Sequence, residues 1–129
     1  MSLDKRSAVV ALSVLAIDQI SKFVVERGSA PFFLSQQTPG IIFGYDLPGF
    51  WDFYLTAGLL LVFVFVYFRY LRMSPASIGS ALIIGGAFSN LADRLLGGTV
   101  TDFIDLGFTV MNFADLGIFA GIFLLAYKL

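Results

Sequence analysis

Residues 53–68 read FYLTAGLLLVFVFVYF, sixteen consecutive positions without a charged side chain. With its flanks, this run approaches the roughly 20 apolar residues that a helix needs to cross a bilayer. The rest of the chain shares its character. Mean hydropathy is +0.89, 58% of the 129 residues are hydrophobic and 13% are charged, against about 25% charge in a soluble domain. The bilayer is therefore the expected main solvent. Reading outward from 53–68, three further apolar segments give helices at about 6–25, 53–70, 76–97 and 113–128 within a single domain, 1–129. The first is too long, and too polar near its end, for a removable signal peptide, and no A-x-A-like site follows it. The expected class is an all-α membrane protein with four transmembrane helices. Pro75 suits the first turn of the third.

Between helices 1 and 2, residues 28–50 carry Gly28, Pro31, Pro39, Gly40, Gly44, Pro48 and Gly49, which punctuate short apolar stretches. APFFL (30–34) and GIIFGY (40–45) are expected to pair as a small β-like segment on the extracytoplasmic surface. Phe32, Phe33, Phe50 and Trp51 would sit at the membrane interface, as aromatic rings prefer.

Basic residues set the orientation. Lys5 and Arg6 precede helix 1, Arg69 and Arg72 lie between helices 2 and 3, and Lys128 ends helix 4. All three places fall on one side of a four-helix topology, so both termini are expected in the cytoplasm. The absence of cysteine and histidine excludes thiol chemistry and removes the commonest general base and metal ligand. A net charge of −1 argues against a nucleic-acid partner.

The polar residues then fall at one depth. Asp18 and Lys22 lie in the outer half of helix 1, four residues apart and able to pair. Asn90, Asp93 and Arg94 lie in the outer part of helix 3, Asp102 follows it, and Asp115 opens helix 4. One reading is a salt-bridge staple that holds the helices together, with Asp18–Lys22 and Asp93–Arg94 as its pairs. Acids outnumber bases, however, and pairing alone calls for no surplus. Two carboxylates within about 3 Å share one proton at neutral pH. One can then activate water while the protonated partner polarises a carbonyl. Ser21 and Lys22 are adjacent and point apart on a helix, which disfavours a Ser–Lys pair.

DQISK (18–22), GGAFSNLADR (85–94), VTDF (100–103) and NFAD (112–115) resemble, in order, the motifs of the lipoprotein signal peptidases, or signal peptidase II. The resemblance spans nearly the whole chain. It implies a hydrolase of the bacterial inner membrane, an aspartyl protease of lipoprotein processing with its active site at the outer leaflet. Such an enzyme removes the signal peptide from diacylglyceryl-modified prolipoproteins, cutting before the lipidated cysteine. Its partners would be that substrate and membrane lipid, with no cofactor and no metal. Carried over by position, Asp102 and Asp115 are the catalytic pair. Asn90, Arg94 and Asn112 support the site, and Asp18, Lys22 and Asp93 are structural. Asp105 has no catalytic counterpart and reads as a solvated loop residue.

The chain departs from the family pattern at TPGIIFG (38–44), where Thr38 stands in place of an asparagine in the substrate-contacting stretch that includes Gly40. A hydroxyl lacks the second donor of an amide. Leu116 replaces a small polar residue, and the connection from Asp102 to Asp115 is short. The alternatives are a catalytically impaired relative that binds lipidated peptides, a metal-dependent CDP-alcohol phosphotransferase, and an ion-handling membrane protein. GGTVTDFID (97–105) resembles only part of the phosphotransferase signature, with Asp102 and Asp105 three apart rather than four. Helix 2 is fully apolar and no acid lies in the inner half of the bundle, so no relay is expected to cross the bilayer.

Overall fold

The computed structural model describes residues 2–28, 35–38, 47–48 and 50–129. Four helices carry the architecture: α1 (Leu3–Glu26), α2 (Trp51–Val66), α3 (Ser77–Gly97) and α4 (Phe113–Lys128). A π-helical turn, Tyr67–Leu71, extends α2 toward α3. Among the described residues, four short strands accompany them: β1 (Gln36–Thr38), β2 (Val100–Asp102), β3 (Ile104–Asp105) and β4 (Val110–Met111). The α3 helix starts at Ser77, so Pro75 lies just before it rather than in its first turn.

Burial is inverted relative to a water-soluble protein. Asp18, Ser77, Ser80, Ser89 and Asn112 are fully buried, while Leu61 and Phe65 on α2 are 71% and 67% exposed. A protein surrounded by lipid tails gains nothing by hiding leucine, but must pair its polar groups internally. Among the described residues, two helical stretches, Asp4–Glu26 and Trp51–Leu71, are long and apolar enough to span a membrane.

The central helix is α3, which packs against α1, α2 and α4. Its small residues let the backbones approach. A Cβ on Gly85 would stand 2.4 Å from the Ala11 carbonyl oxygen of α1, and one on Gly86 would stand 2.5 Å from that of Ala114 on α4. Neither contact is sterically possible, so these two glycines set how close α1 and α4 come to α3. They lie one turn below Ser89 and Asn90, and thereby bring polar side chains of three helices within bonding reach of each other.

Two antiparallel ladders form at the end of the bundle that holds these polar groups. β1 pairs with β2, placing Gln36 opposite Asp102 and Thr38 opposite Val100. β3 pairs with β4. The strand following α1 thus pairs with the chain following α3. The stretches 30–34 and 40–45, expected to pair with each other, lie outside the described residues, as does Gly40.

Candidate active site

Asn112 organises the site. It is the N-cap of α4, where its side-chain oxygen accepts from the Asp115 backbone N–H at 2.9 Å. The Asp115 carboxylate reciprocates by accepting from the Asn112 backbone N–H at 3.2 Å, which completes a capping box. The NFAD spacing therefore locks the Asp115 side chain beside the helix start. The Asn112 amide N–H2 remains free to point elsewhere. It donates to Asp102 at 2.8 Å, to Asn90 at 3.0 Å and to the Thr101 carbonyl at 3.2 Å.

Asn90 closes the circle, donating its own amide to Asp115 at 3.0 Å. Asp102 and Asp115 are thus tied to one pair of asparagines, one carboxylate bonded to Asn112 and the other to both. The charge of Asp115 acts on Asp102 across this pair. The β3–β4 hairpin makes the meeting possible. Phe103 N–H donates to the Met111 carbonyl at 2.9 Å, so the chain leaves Asp102 and returns at Asn112. The Phe103 and Phe113 rings stack edge to face beside it, with centroids 5.7 Å apart.

Asp102 is 4% exposed. Burial pushes its carboxyl up to about 6, and the nearby charge of Asp115 adds to the rise. Hydrogen bonds from Thr38 and Asn112, together with the charge of Lys22, oppose it. Thr38, the position that departs from the family pattern, therefore reaches the proposed catalytic carboxylate with its hydroxyl. A carboxyl raised in this way suits a group that must hold and release a proton.

Beneath this layer lies a buried ion cluster. Lys22 Nζ stands 2.6 Å from Asp18 and 2.6 Å from Asp93, and donates to Asn90 at 3.1 Å. Asp18 further accepts from Ser89 at 2.6 Å and from the Ala114 backbone N–H at 2.8 Å. Asp93 accepts from Gln19 at 2.9 Å. The expected Asp18–Lys22 pair is present. Asp93, expected to pair with its neighbour Arg94, has Lys22 as an ion-pair partner.

Arg94 lies near four carboxylates, Asp52, Asp115, Asp102 and Asp93. Asp105 is exposed and accepts from the Gly107 backbone N–H in a turn. Among the described residues, no three carboxylates converge as metal ligands do. Gln19, Ser89 and Asp52 were not expected at the site. Gln19 and Ser89 sit inside motifs already singled out, and their helical spacing from Asp18 and Asp93 was the available signal.

A cavity of about 340 Å³ lies on the far side of β2, lined by Gln19, Lys22, Glu26, Gln37, Asp93 and Thr101 among others. Alternate strand residues face opposite ways. Thr101 thus bonds Glu26 on the cavity side, while Asp102 turns to the asparagines. The two carboxylates are not in this cavity. They lie on the α4 side of the same strand.

The family model described as "Signal peptidase (SPase) II" matches residues 10–129. A relative named "Lipoprotein signal peptidase" from Moorella thermoacetica is 34% identical over 135 residues, covering 94% of this chain and 90% of its own. One of the same name from Geobacillus thermodenitrificans is 33% identical, covering 91% and 84%. The fold is similar to two solved structures, each described as "Bacterial membrane enzyme structure by the in meso method". Their TM-scores are 0.82 and 0.79, each at 23% identity and over 95% of this chain, covering 86% and 91% of theirs.

Proposed function

The chain belongs to the signal peptidase II family, and from that premise we propose that it is an aspartic endopeptidase acting through Asp102 and Asp115. It removes the signal peptide from diacylglyceryl-modified prolipoproteins, cutting before the lipidated cysteine. The observation that carries this reading is the tethering of both carboxylates to the Asn90–Asn112 pair.

One carboxylate takes a proton from water, and the oxygen attacks the scissile carbonyl. The other, protonated, donates to the carbonyl oxygen and stabilises the tetrahedral intermediate. The intermediate collapses as the leaving nitrogen takes up a proton and the C–N bond breaks. This leaves a carboxylate on the signal peptide and a free amine on the lipidated cysteine. Asn90 and Asn112 orient the carboxylates, and the Lys22 cluster fixes Asn90.

All four helices cross the bacterial inner membrane in this reading, with both termini cytoplasmic and the site at the outer leaflet. Acyl chains of the substrate arrive laterally from the lipid, so the scissile bond meets the carboxylates at the headgroup level. Thr38 stands where it can touch both the Asp102 carboxylate and an incoming peptide.

The test is a gel-shift assay with purified protein and a lipidated prolipoprotein, run with and without EDTA. Cleavage that survives chelation supports a carboxylate mechanism. Binding without cleavage would instead favour an impaired relative, and a strict Mg²⁺ requirement would contradict the mechanism.

A further inference from the structure

Thr101 is the middle residue of β2 and is 3% exposed. In the ladder it lies opposite Gln37, and Thr99 shares its face of the extended chain. The Gln37 side chain spans the two. Its amide N–H2 donates to the Thr101 hydroxyl at 3.0 Å, and its oxygen accepts from the Thr99 hydroxyl at 2.7 Å. The Thr101 hydroxyl in turn donates to the carboxylate of Glu26, the last residue of α1. A hydroxyl has one proton to give, a carboxylate only accepts and an amide N–H2 only donates, so the direction of both bonds is fixed. A strand pair this short is marginal by itself. Side-chain bonds of this kind therefore decide where β2 rests.

The resting place of β2 matters because the residue after Thr101 is Asp102. Asn112 bonds both, donating to the Thr101 carbonyl at 3.2 Å and to the Asp102 carboxylate at 2.8 Å. Glu26 follows Lys22 by about one helical turn on α1, so the two share a face. Lys22 donates to Asn90 at 3.1 Å, and Asn90 donates to Asp115 at 3.0 Å. One face of α1 thus reaches both carboxylates, Asp115 through Lys22 and Asn90, and Asp102 through Glu26 and Thr101. Resting on the reading given above, we propose that Glu26 and Thr101 are positioning residues of the active site: their bond fixes the strand carrying Asp102 against the helix that also fixes Asp115, and so sets the spacing of the two carboxylates. Without the hydroxyl, β2 shifts against α1 while Asp115 stays in its capping box on α4. The carboxylates then lose the separation at which they share a proton.

The experiment measures kcat and KM in the lipidated-prolipoprotein assay at matched folded concentration, with melting in detergent followed for each variant. Thr101→Val keeps the shape of the side chain and removes its hydroxyl. Its kcat is expected to fall about tenfold, with KM within about twofold, as misplacing an orienting partner does. Thr101→Ser keeps the hydroxyl and is expected to recover most of kcat. Glu26 is exposed, so water takes over its carboxylate when the hydroxyl goes. Glu26→Met should lower kcat as Thr101→Val does, while Glu26→Gln, which still offers an acceptor, should stay near wild type. Because the two residues act through one bond, Glu26→Met combined with Thr101→Val should be no slower than Thr101→Val alone. Wild-type kcat in Thr101→Val, a loss in Thr101→Ser as deep as in Thr101→Val, or losses that multiply in the double variant would overturn the proposal. Should Thr101→Val fail to fold, the Glu26 pair decides: low kcat in Glu26→Met with recovery in Glu26→Gln supports the bond, and equal kcat in the two overturns it. An inert wild type sinks the peptidase reading and this inference with it. An active wild type with unaffected Thr101→Val and Glu26→Met sinks only the inference.

Discussion

The Asn112 side chain lies 2.8 Å from Asp102 while its oxygen caps α4 through Asp115 N–H at 2.9 Å, so a single amide joins a strand, a helix start and both acidic residues. A helix cap normally serves stability alone. Here the group that terminates the backbone ladder also sets the spacing of the carboxylates, so folding of α4 and assembly of the site are one event.

Replacing Asn112 by alanine is therefore expected to act twice. Loss of an N-cap costs about 1 kcal/mol, and stripping Asp102 and Asn90 of a buried donor adds to it. Melting in detergent should fall, and cleavage should fall much further. A variant with normal cleavage would show that the bridge is incidental.

Lys22 neutralises two buried aspartates, and its side chain is only 3% exposed. Lys22→Met leaves Asp18 and Asp93 facing each other without a cation, which typically costs about 3–5 kcal/mol for a buried pair. Its melting temperature should drop steeply. The half-exposed Arg72–Asp4 contact at 4.0 Å provides the contrast: Arg72→Ala should leave melting essentially unchanged.

Asp102 gives a stability signature with a defined sign. Its carboxyl rises from 3.8 to about 6 in the folded protein. Below the lower value both folded and unfolded chains hold the proton. As pH climbs through the interval the unfolded chain ionises first, so stability falls, and above about 6 the loss is complete. Asp102→Asn should thus melt higher than wild type at pH 8, with the difference gone at pH 3.5. A difference that does not vary with pH would contradict this.

Thr38 favours the ionised form of Asp102 through its hydroxyl. Thr38→Val should move the pH midpoint of that stability change upward, while Thr38→Asn, which restores an amide, should leave cleavage intact. An unmoved midpoint in the valine variant would place the hydroxyl out of reach of the carboxylate.

Much of this architecture was legible because lipid-facing helices announce themselves as apolar runs, as at 53–68. The polar residues were legible because so few exist. What escaped were pairings that depend on how the helices are rotated. Asp93 reaches Lys22 across 71 positions of chain, and helix geometry argues for that outcome only once α1 and α3 are known to touch. The β1–β2 ladder joins QQT to VTD, stretches too short and polar to show the alternation of a strand.

The most direct test of the central claim is the gel shift of a lipidated prolipoprotein with wild type, Asp102→Asn, Asp115→Asn and Asp105→Asn at matched folded concentration. Wild type and Asp105→Asn should convert the substrate, and the other two should leave it uncut, because an amide at either position can neither share nor transfer the proton. Conversion by Asp102→Asn or Asp115→Asn at a rate near wild type would contradict the claim and return the aspartate cluster to a purely structural role.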